Sequence, residues 1–210
     1  MQKEQSEPSL PSSEPTAGEP STPPSTPLSV NELEARLIYA VIVAGKSADF
    51  ADQVCYALWD MIPDGMTPFE WFRAIGPEGV LAALKEAHTG NYGKNSRCLD
   101  ALANCPLLDL RTVSPEQLEQ FHGIGPKTSR FFILWTRPGE KLACLDVHIL
   151  RWLRTKGYDA PERTPRGQRY YELEEAFIRE AEALGMTPRQ LDYAIWCVAS
   201  GRTQEGAGYE

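Results

Sequence analysis

The chain has 210 residues and a net charge of −8, since 29 Asp and Glu outnumber 21 Lys and Arg. No apolar run is long enough to span a membrane, and the N-terminus lacks the basic and apolar pattern of a secretory leader. The five cysteines are scattered without a CxxC pair, which argues against a disulfide framework and favours a reducing, intracellular compartment.

Composition divides the chain into three regions. Residues 1–28 contain seven prolines and many Ser, Thr and Glu. They cannot bury enough apolar surface to offset the entropy cost of ordering, so we predict a disordered tail. Residues 29–203 suffice for one compact domain, or for two small helical lobes that share a core. Residues 204–210 are predicted to be a flexible C-terminus.

The predicted fold class is all-α, with about ten helices. Apolar residues recur at helical spacing from residue 29 onward, and no segment has the alternation of a strand. Ser or Thr followed by Pro marks helix starts at Thr67, Ser114 and Thr187. Residues 45–48 break the first helical stretch, and the Gly-Pro pair at 76–77 breaks a later one.

Residues 121–129 read Phe-His-Gly-Ile-Gly-Pro-Lys-Thr-Ser and predict a tight hairpin between two helices. Gly123 and Gly125 flank one apolar residue, permit positive φ and leave backbone N–H groups uncovered by side chains. Pro126 begins the second helix. Because such a hairpin points amides and a helix N-terminus outward, it suits a phosphate group.

Two charged residues follow at predicted helix starts. Lys127 lies in the first turn of the second helix, where the helix dipole disfavours a cation and favours the neutral, nucleophilic amine. Asp146 begins the next helix, where the same dipole favours an ionised carboxylate. Two simpler roles stay open: Lys127 as a phosphate-binding lysine in a non-catalytic hairpin, and Asp146 as a plain N-cap.

The charge is distributed unevenly around these motifs. Residues 123–169 carry ten Lys and Arg against four acidic residues, a net charge of +6, whereas residues 1–30 carry a net charge of −3. A polyanion responds to the local field more than to the total charge, so the acidic chain remains compatible with a nucleic-acid partner. Charge alone does not separate this interpretation from a solvated basic helix face.

The motif Gly-Ile-Gly-Pro-Lys-Thr at 123–128, followed by Leu-Asp-Val-His-Ile-Leu-Arg at 145–151, resembles the helix-hairpin-helix (HhH-GPD) DNA glycosylases of the endonuclease III and 8-oxoguanine glycosylase kind. Weaker similarity extends from about Leu37 to Arg202. The resemblance implies a two-lobed helical core. It also implies a base-excision-repair enzyme that extrudes a damaged or modified base from duplex DNA, cleaves the N-glycosidic bond and nicks the strand as an AP lyase.

The resemblance assigns roles to individual residues. Lys127 would attack C1′ and form a Schiff base, and Asp146 would help to deprotonate the lysine and stabilise positive charge on the sugar. Lys46 is at the place where the family inserts a side chain into the gap left by the extruded base, although an ordinary loop lysine fits equally well. The resemblance also implies a group of DNA-backbone contacts: His122, Gly123, Ile124, Gly125, Thr128 and Arg151.

Cofactor and partner expectations follow from the same resemblance. Endonuclease III relatives commonly add cysteines that hold an iron–sulfur cluster, but no cysteine follows Cys197. We therefore expect no such cluster. We also expect no metal or other cofactor, except a structural cation at the hairpin. The expected partner is double-stranded DNA, and we expect an intracellular monomer with no membrane association. Two alternatives remain: a non-catalytic hairpin DNA-binding module, and a fold relative that acts on modified pyrimidines in DNA.

Overall fold

The computed structural model describes residues 27–200, and all regular structure in that range is helical, as predicted. None of these helices is long and apolar enough to cross a membrane. The helices in chain order are α1 Val30–Ile42, α2 Ala48–Trp59, α3 Pro68–Glu86, α4 Tyr92–Ala103, α5 Pro115–Leu118, α6 Pro126–Thr136, α7 Val147–Thr155, α8 Gln168–Ala183 and α9 Pro188–Ser200.

Helix α3 contains the predicted break at residues 76–77. Gly76 has φ 67° and ψ 178°, a conformation that is strained for any residue with a side chain, and Pro77 then starts a second helical piece. With α3 counted as two pieces, the described part of the chain has ten helical segments, in agreement with the predicted number.

The predicted capping signatures form reciprocal hydrogen bonds. At each of these helix starts the N-cap hydroxyl accepts from the third helical residue, whose side chain accepts from the N-cap amide. The predicted pairs are Thr67 with Glu70, Ser114 with Gln117, and Thr187 with Gln190, and the structure adds Ser29 with Glu32, which was not predicted.

The predicted terminal segments lie mostly outside the described residues. This applies to 1–26 of the predicted tail and to all of 204–210. Leu28 differs from its prediction, because its side chain is only 7% exposed and belongs to the hydrophobic core. Leu28 immediately precedes the capped start of α1, and burial of its large apolar side chain stabilises the fold. The composition of the tail as a whole does not predict this.

Buried apolar side chains form two clusters, which agrees with the predicted two lobes. The first cluster draws on α1 to α6 and ends at Phe132 and Ile133. The second begins at Ala143 and draws on α7, α8 and α9. Helix α6 and the segment after it therefore lie at the boundary between the two clusters, and that boundary is where the candidate site is found.

Candidate active site at the hairpin

The hairpin joins the single turn of α5 to the start of α6, and its two glycines have different roles. Gly123 has φ +100°, and a Cβ there would lie 3.0 Å from Cε of Lys94. Gly125 is extended, with φ −117° and ψ 179°, and a Cβ there would meet open space. The predicted need for positive φ therefore holds at Gly123 and not at Gly125.

The backbone amides of the hairpin are not equally available. The N–H of Ile124 donates to the carbonyl of Phe121 at 3.1 Å, so it is bound within the turn rather than free for the predicted phosphate contact. The Ile124 side chain, 6% exposed, anchors the hairpin in the first core cluster. In contrast, the N–H groups of Gly125 and Lys127 have no acceptor among residues 27–200. The N–H of Thr128 has none either, so the start of α6 offers several amides to a phosphate.

Lys127 lies in the first turn of α6 and is half-buried. The next residue, Thr128, is only 7% exposed, so the predicted contact of its side chain with DNA does not fit the structure. The motif alone does not say which face of α6 is inward, and Thr128 is on that inward face. Ser129 is also buried, and its Oγ donates to Oε1 of Glu119 at 2.9 Å, which ties α6 to the end of α5.

Asp146 is the N-cap of α7. Its Oδ1 accepts the N–H groups of His148 at 2.8 Å and Ile149 at 2.9 Å, as the simpler interpretation predicted. Cys144 donates from Sγ to the backbone carbonyl of Lys127 at 3.5 Å, so the chain just before Asp146 touches the chain at Lys127. The structure therefore brings the starts of α6 and α7, where the two predicted catalytic residues lie, into the same part of the molecule.

Asp192 is a third ionisable residue of this site, and sequence analysis did not find it. It lies on α9, which packs against α7, and it is half-buried. Burial and the nearby Asp146 raise the pKa of its carboxyl to about 7, against the opposing effects of Arg189 and Lys127. Burial also raises the pKa of the Cys144 thiol, which lies near the same groups. In the sequence, the only indication that Asp192 lies in a partly buried site is that it follows the apolar Leu191.

Comparison with known proteins gives a consistent result, although no family model matches the sequence. The 8-oxoguanine DNA glycosylase/AP lyases of Thermotoga petrophila and Thermotoga maritima are 34% identical to the chain over 86 residues, which is 40% of the chain. The matched region also spans only 40% of the length of these curated relatives.

The solved structures cover more of the chain. The 8-oxoguanine DNA glycosylase of Thermotoga maritima superposes with a TM-score of 0.64 and 25% identity over 81% of each chain. The chain shares the helical fold of this 8-oxoguanine DNA glycosylase. The Methanocaldococcus jannaschii 8-oxoguanine glycosylase/lyase, solved with DNA containing 8-oxoguanine, matches this fold with a TM-score of 0.62 and 18% identity, over 81% of this chain and 82% of the other.

The residues predicted to contact DNA differ in their solvent exposure. His122, at the tip of the hairpin, and Arg151, on α7, are exposed. Lys46 is half-buried, and its Nζ donates to the carbonyl of Ile42 at 2.6 Å, so it closes the end of α1. Burial lowers the pKa of Lys46, and the nearby Lys94, which also covers Gly123, adds to that effect. Lys46 therefore lies close to Lys94 and the hairpin surface.

The basic segment 123–169 is less positive than its composition indicates. Arg130 is 1% exposed and pairs with acidic residues outside the segment, Glu119 and Glu174. Lys141 pairs with Glu182 at 2.7 Å. Acidic residues of the protein itself therefore neutralise part of the +6 charge, which weakens the attraction of this segment for DNA.

The sequence analysis predicted no metal site except a structural cation at the hairpin. Between residues 27 and 200, no group of three or more His, Cys, Asp or Glu side chains is arranged to hold a metal ion. A cation held by hairpin carbonyls would need no such group, and it stays a prediction.

Proposed function

We propose that this chain is a bifunctional DNA glycosylase and AP lyase that removes a damaged or modified base from double-stranded DNA in base excision repair. The observation that carries this proposal is the contact of the Cys144 thiol with the Lys127 carbonyl, which brings the starts of α6 and α7 near each other beside amides without an acceptor among residues 27–200. Relatives named 8-oxoguanine DNA glycosylase/AP lyase support it.

In the proposed reaction the neutral amine of Lys127 attacks C1′ of the extruded nucleotide. The new C–N bond replaces the glycosidic bond, whose electron pair leaves with the base, and a proton from the amine goes to a nearby acceptor. The free Oδ2 of Asp146 faces the positive charge that develops on the sugar, while Oδ1 stays bound to the amides of α7. The C1′–O4′ bond of the resulting aminal then breaks, its electron pair and a proton go to O4′, and the C1′=N bond of the Schiff base forms. Loss of a C2′ proton from the Schiff base then expels the 3′ phosphate and nicks the strand.

The same face of α6 offers an aromatic surface to an extruded base. Phe131 and Trp135 follow Lys127 at intervals of four residues, which places all three on one face of the helix. Both rings are partly exposed, their centroids are 5.4 Å apart, and Tyr39 packs edge-on against Trp135. A base that has left the duplex must be held by such contacts, and Phe131 is the ring nearest to Lys127 along the helix.

The first substrate to test is 8-oxoguanine, because relatives of similar sequence and fold carry that base in their names. The chain matches only part of the curated relatives, so the base itself belongs to the proposal. We further propose an intracellular monomer that requires no iron–sulfur cluster or other cofactor. Free thiols at all five cysteines, four of them buried, support only the reducing compartment in this proposal.

The decisive experiment is borohydride trapping on duplexes that carry 8-oxoguanine, thymine glycol, dihydrouracil, uracil or an abasic site. The wild type is expected to form a covalent adduct that Lys127→Gln abolishes and that Asp146→Asn slows by about 10²–10⁴-fold. Lys141→Gln is the matched control, since it removes an equal charge from an exposed lysine of the same basic segment.

Two other outcomes would change the proposal. No adduct on any lesion, together with tight DNA binding that Asp146→Asn leaves unchanged, would favour a non-catalytic DNA-binding module. An adduct on the abasic site alone would establish the lyase step and would place the true base outside the panel.

A further inference from the structure

The chain between α6 and α7 is held by side chains of α8. Residues 143–145 are extended and have no neighbouring strand, so their backbone polar groups depend on side chains. The N–H of Ala143 donates to Oε1 of Glu174 at 2.9 Å. The hydroxyl of Tyr170 donates to the carbonyl of Ala143 at 2.7 Å and accepts the N–H of Leu145 at 3.3 Å. Two α8 residues therefore fix the segment that leads directly into Asp146.

The same two side chains also hold α6. Arg130 lies one turn after Lys127, and its Nε donates to Oε1 of Glu174 at 3.2 Å. Its guanidinium lies 5.1 Å from the centroid of the Tyr170 ring. Tyr170 and Glu174 are four residues apart on α8, so they share one face of that helix. Both are buried, and Arg130 is among the most deeply buried side chains of the described residues.

This arrangement makes α8 a common support for the two parts of the candidate site. Glu174 Oε1 is shared between the helix of Lys127 and the segment before Asp146, so a displacement of one is transmitted to the other. Direct contact between the two parts is weaker, since the Cys144 thiol is a poor donor to the carbonyl of Lys127.

We propose that Tyr170 and Glu174 are positioning residues that set the distance between Lys127 and Asp146. This inference rests on the proposed function, because it assigns these two α8 residues a purpose in the lysine chemistry. Neither residue faces the hairpin surface, so they act on the reaction through Arg130 and the 143–145 segment.

The first test is Tyr170→Phe, which removes the hydroxyl and its two hydrogen bonds but keeps the ring beside Arg130. On the duplex that gives the wild-type adduct, the single-turnover rate is expected to fall by about 10²-fold, because misplacement of reacting groups by about 1 Å has effects of that size. The Kd for the same duplex is expected to stay unchanged, since the hairpin amides are not altered.

Tyr158→Phe is the matched control. It also removes one tyrosine hydroxyl that bonds to α8, in this case to Oε1 of Glu180 at 2.8 Å, but it leaves residues 143–145 alone. Tyr158→Phe is expected to lower the free energy of unfolding and to keep the wild-type single-turnover rate. Equal rates in the two variants would overturn the proposed positioning role.

A second measurement does not depend on catalysis. Amide hydrogen exchange at Leu145, His148 and Ile149 is expected to become faster in Tyr170→Phe and to stay at the wild-type rate in Tyr158→Phe. If the wild type forms no adduct on any lesion, the proposed function fails, while faster exchange at these three amides still supports the positioning of Asp146. Unchanged exchange at the three amides would overturn the inference whether or not the wild type is active.

Discussion

The Asp146 side chain serves the fold and the candidate site at the same time. One carboxylate oxygen satisfies two orphan amides at the start of α7, and the other has no hydrogen bond to any described residue. The two N–H donors hold the carboxylate in one orientation. A simple capping role and a catalytic role are therefore compatible for this residue, because they use different oxygens.

Asp192 gives a prediction about pH and stability. Its pKa is about 7 in the folded protein, above the usual value of 3.8, so between these pH values the folded state keeps a proton that the unfolded state has lost. Stability must then fall as pH rises through this range. Asp192→Asn cannot ionise, so its stability relative to the wild type is expected to increase from about pH 4 to about pH 7 and to level off above.

Denaturant unfolding of both proteins between pH 4 and pH 8 would measure this difference. Asp64→Asn is the control, because it removes one carboxylate from an exposed loop. Parallel pH profiles for the wild type and Asp192→Asn would contradict the placement of Asp192 beside Asp146.

At the scale of elements, local signals predicted the structure well and long-range contacts were missed. The caps of the helices and the break at Gly76 depend on a few adjacent residues, so the sequence contains them in full. The bond between Arg130 and Glu174 joins residues 44 positions apart, and no local pattern encodes it. The burial of Thr128 was missed for the same reason, because the inward face of α6 depends on what packs against it.

The hairpin offers a matched pair of glycine substitutions at the element scale. Gly123→Ala is expected to destabilise the protein by about 1–3 kcal/mol, because φ +100° is strained for alanine and the methyl group also crowds Lys94. Gly125→Ala is expected to leave stability unchanged, since its backbone is extended and its surroundings are open. Its methyl group would instead stand where a phosphate approaches the amide, so DNA affinity is expected to fall.

Thermal unfolding and DNA titration of the two variants would separate these effects. Equal destabilisation by both substitutions would contradict the different roles of the two glycines. Unchanged DNA affinity in a stable Gly125→Ala protein would contradict phosphate binding at that amide.

At the scale of the whole molecule, the two lobes meet at the C-terminal end of α6. The carbonyl of Leu134 accepts from Arg189 of α9 at 2.7 Å, and the carbonyl of Trp135 accepts from Arg36 of α1 at 2.8 Å. These are among the last carbonyls of α6, which have no acceptor role within the helix. Cations there also complement the helix dipole. One helix end is therefore stabilised by an arginine from each lobe.

Arg189→Met tests whether this connection stabilises the whole domain. The variant keeps an apolar stem but leaves the Leu134 carbonyl without its charged donor, so we expect a loss of about 1.5–3 kcal/mol in the free energy of unfolding. Arg179→Met is the control, because Arg179 is exposed and pairs with Glu175 at the surface, so we expect a loss below about 1 kcal/mol. Denaturant unfolding would compare the two variants. Equal losses would mean that Arg189 contributes no more than a surface arginine, and that the lobes are held together by apolar contacts instead.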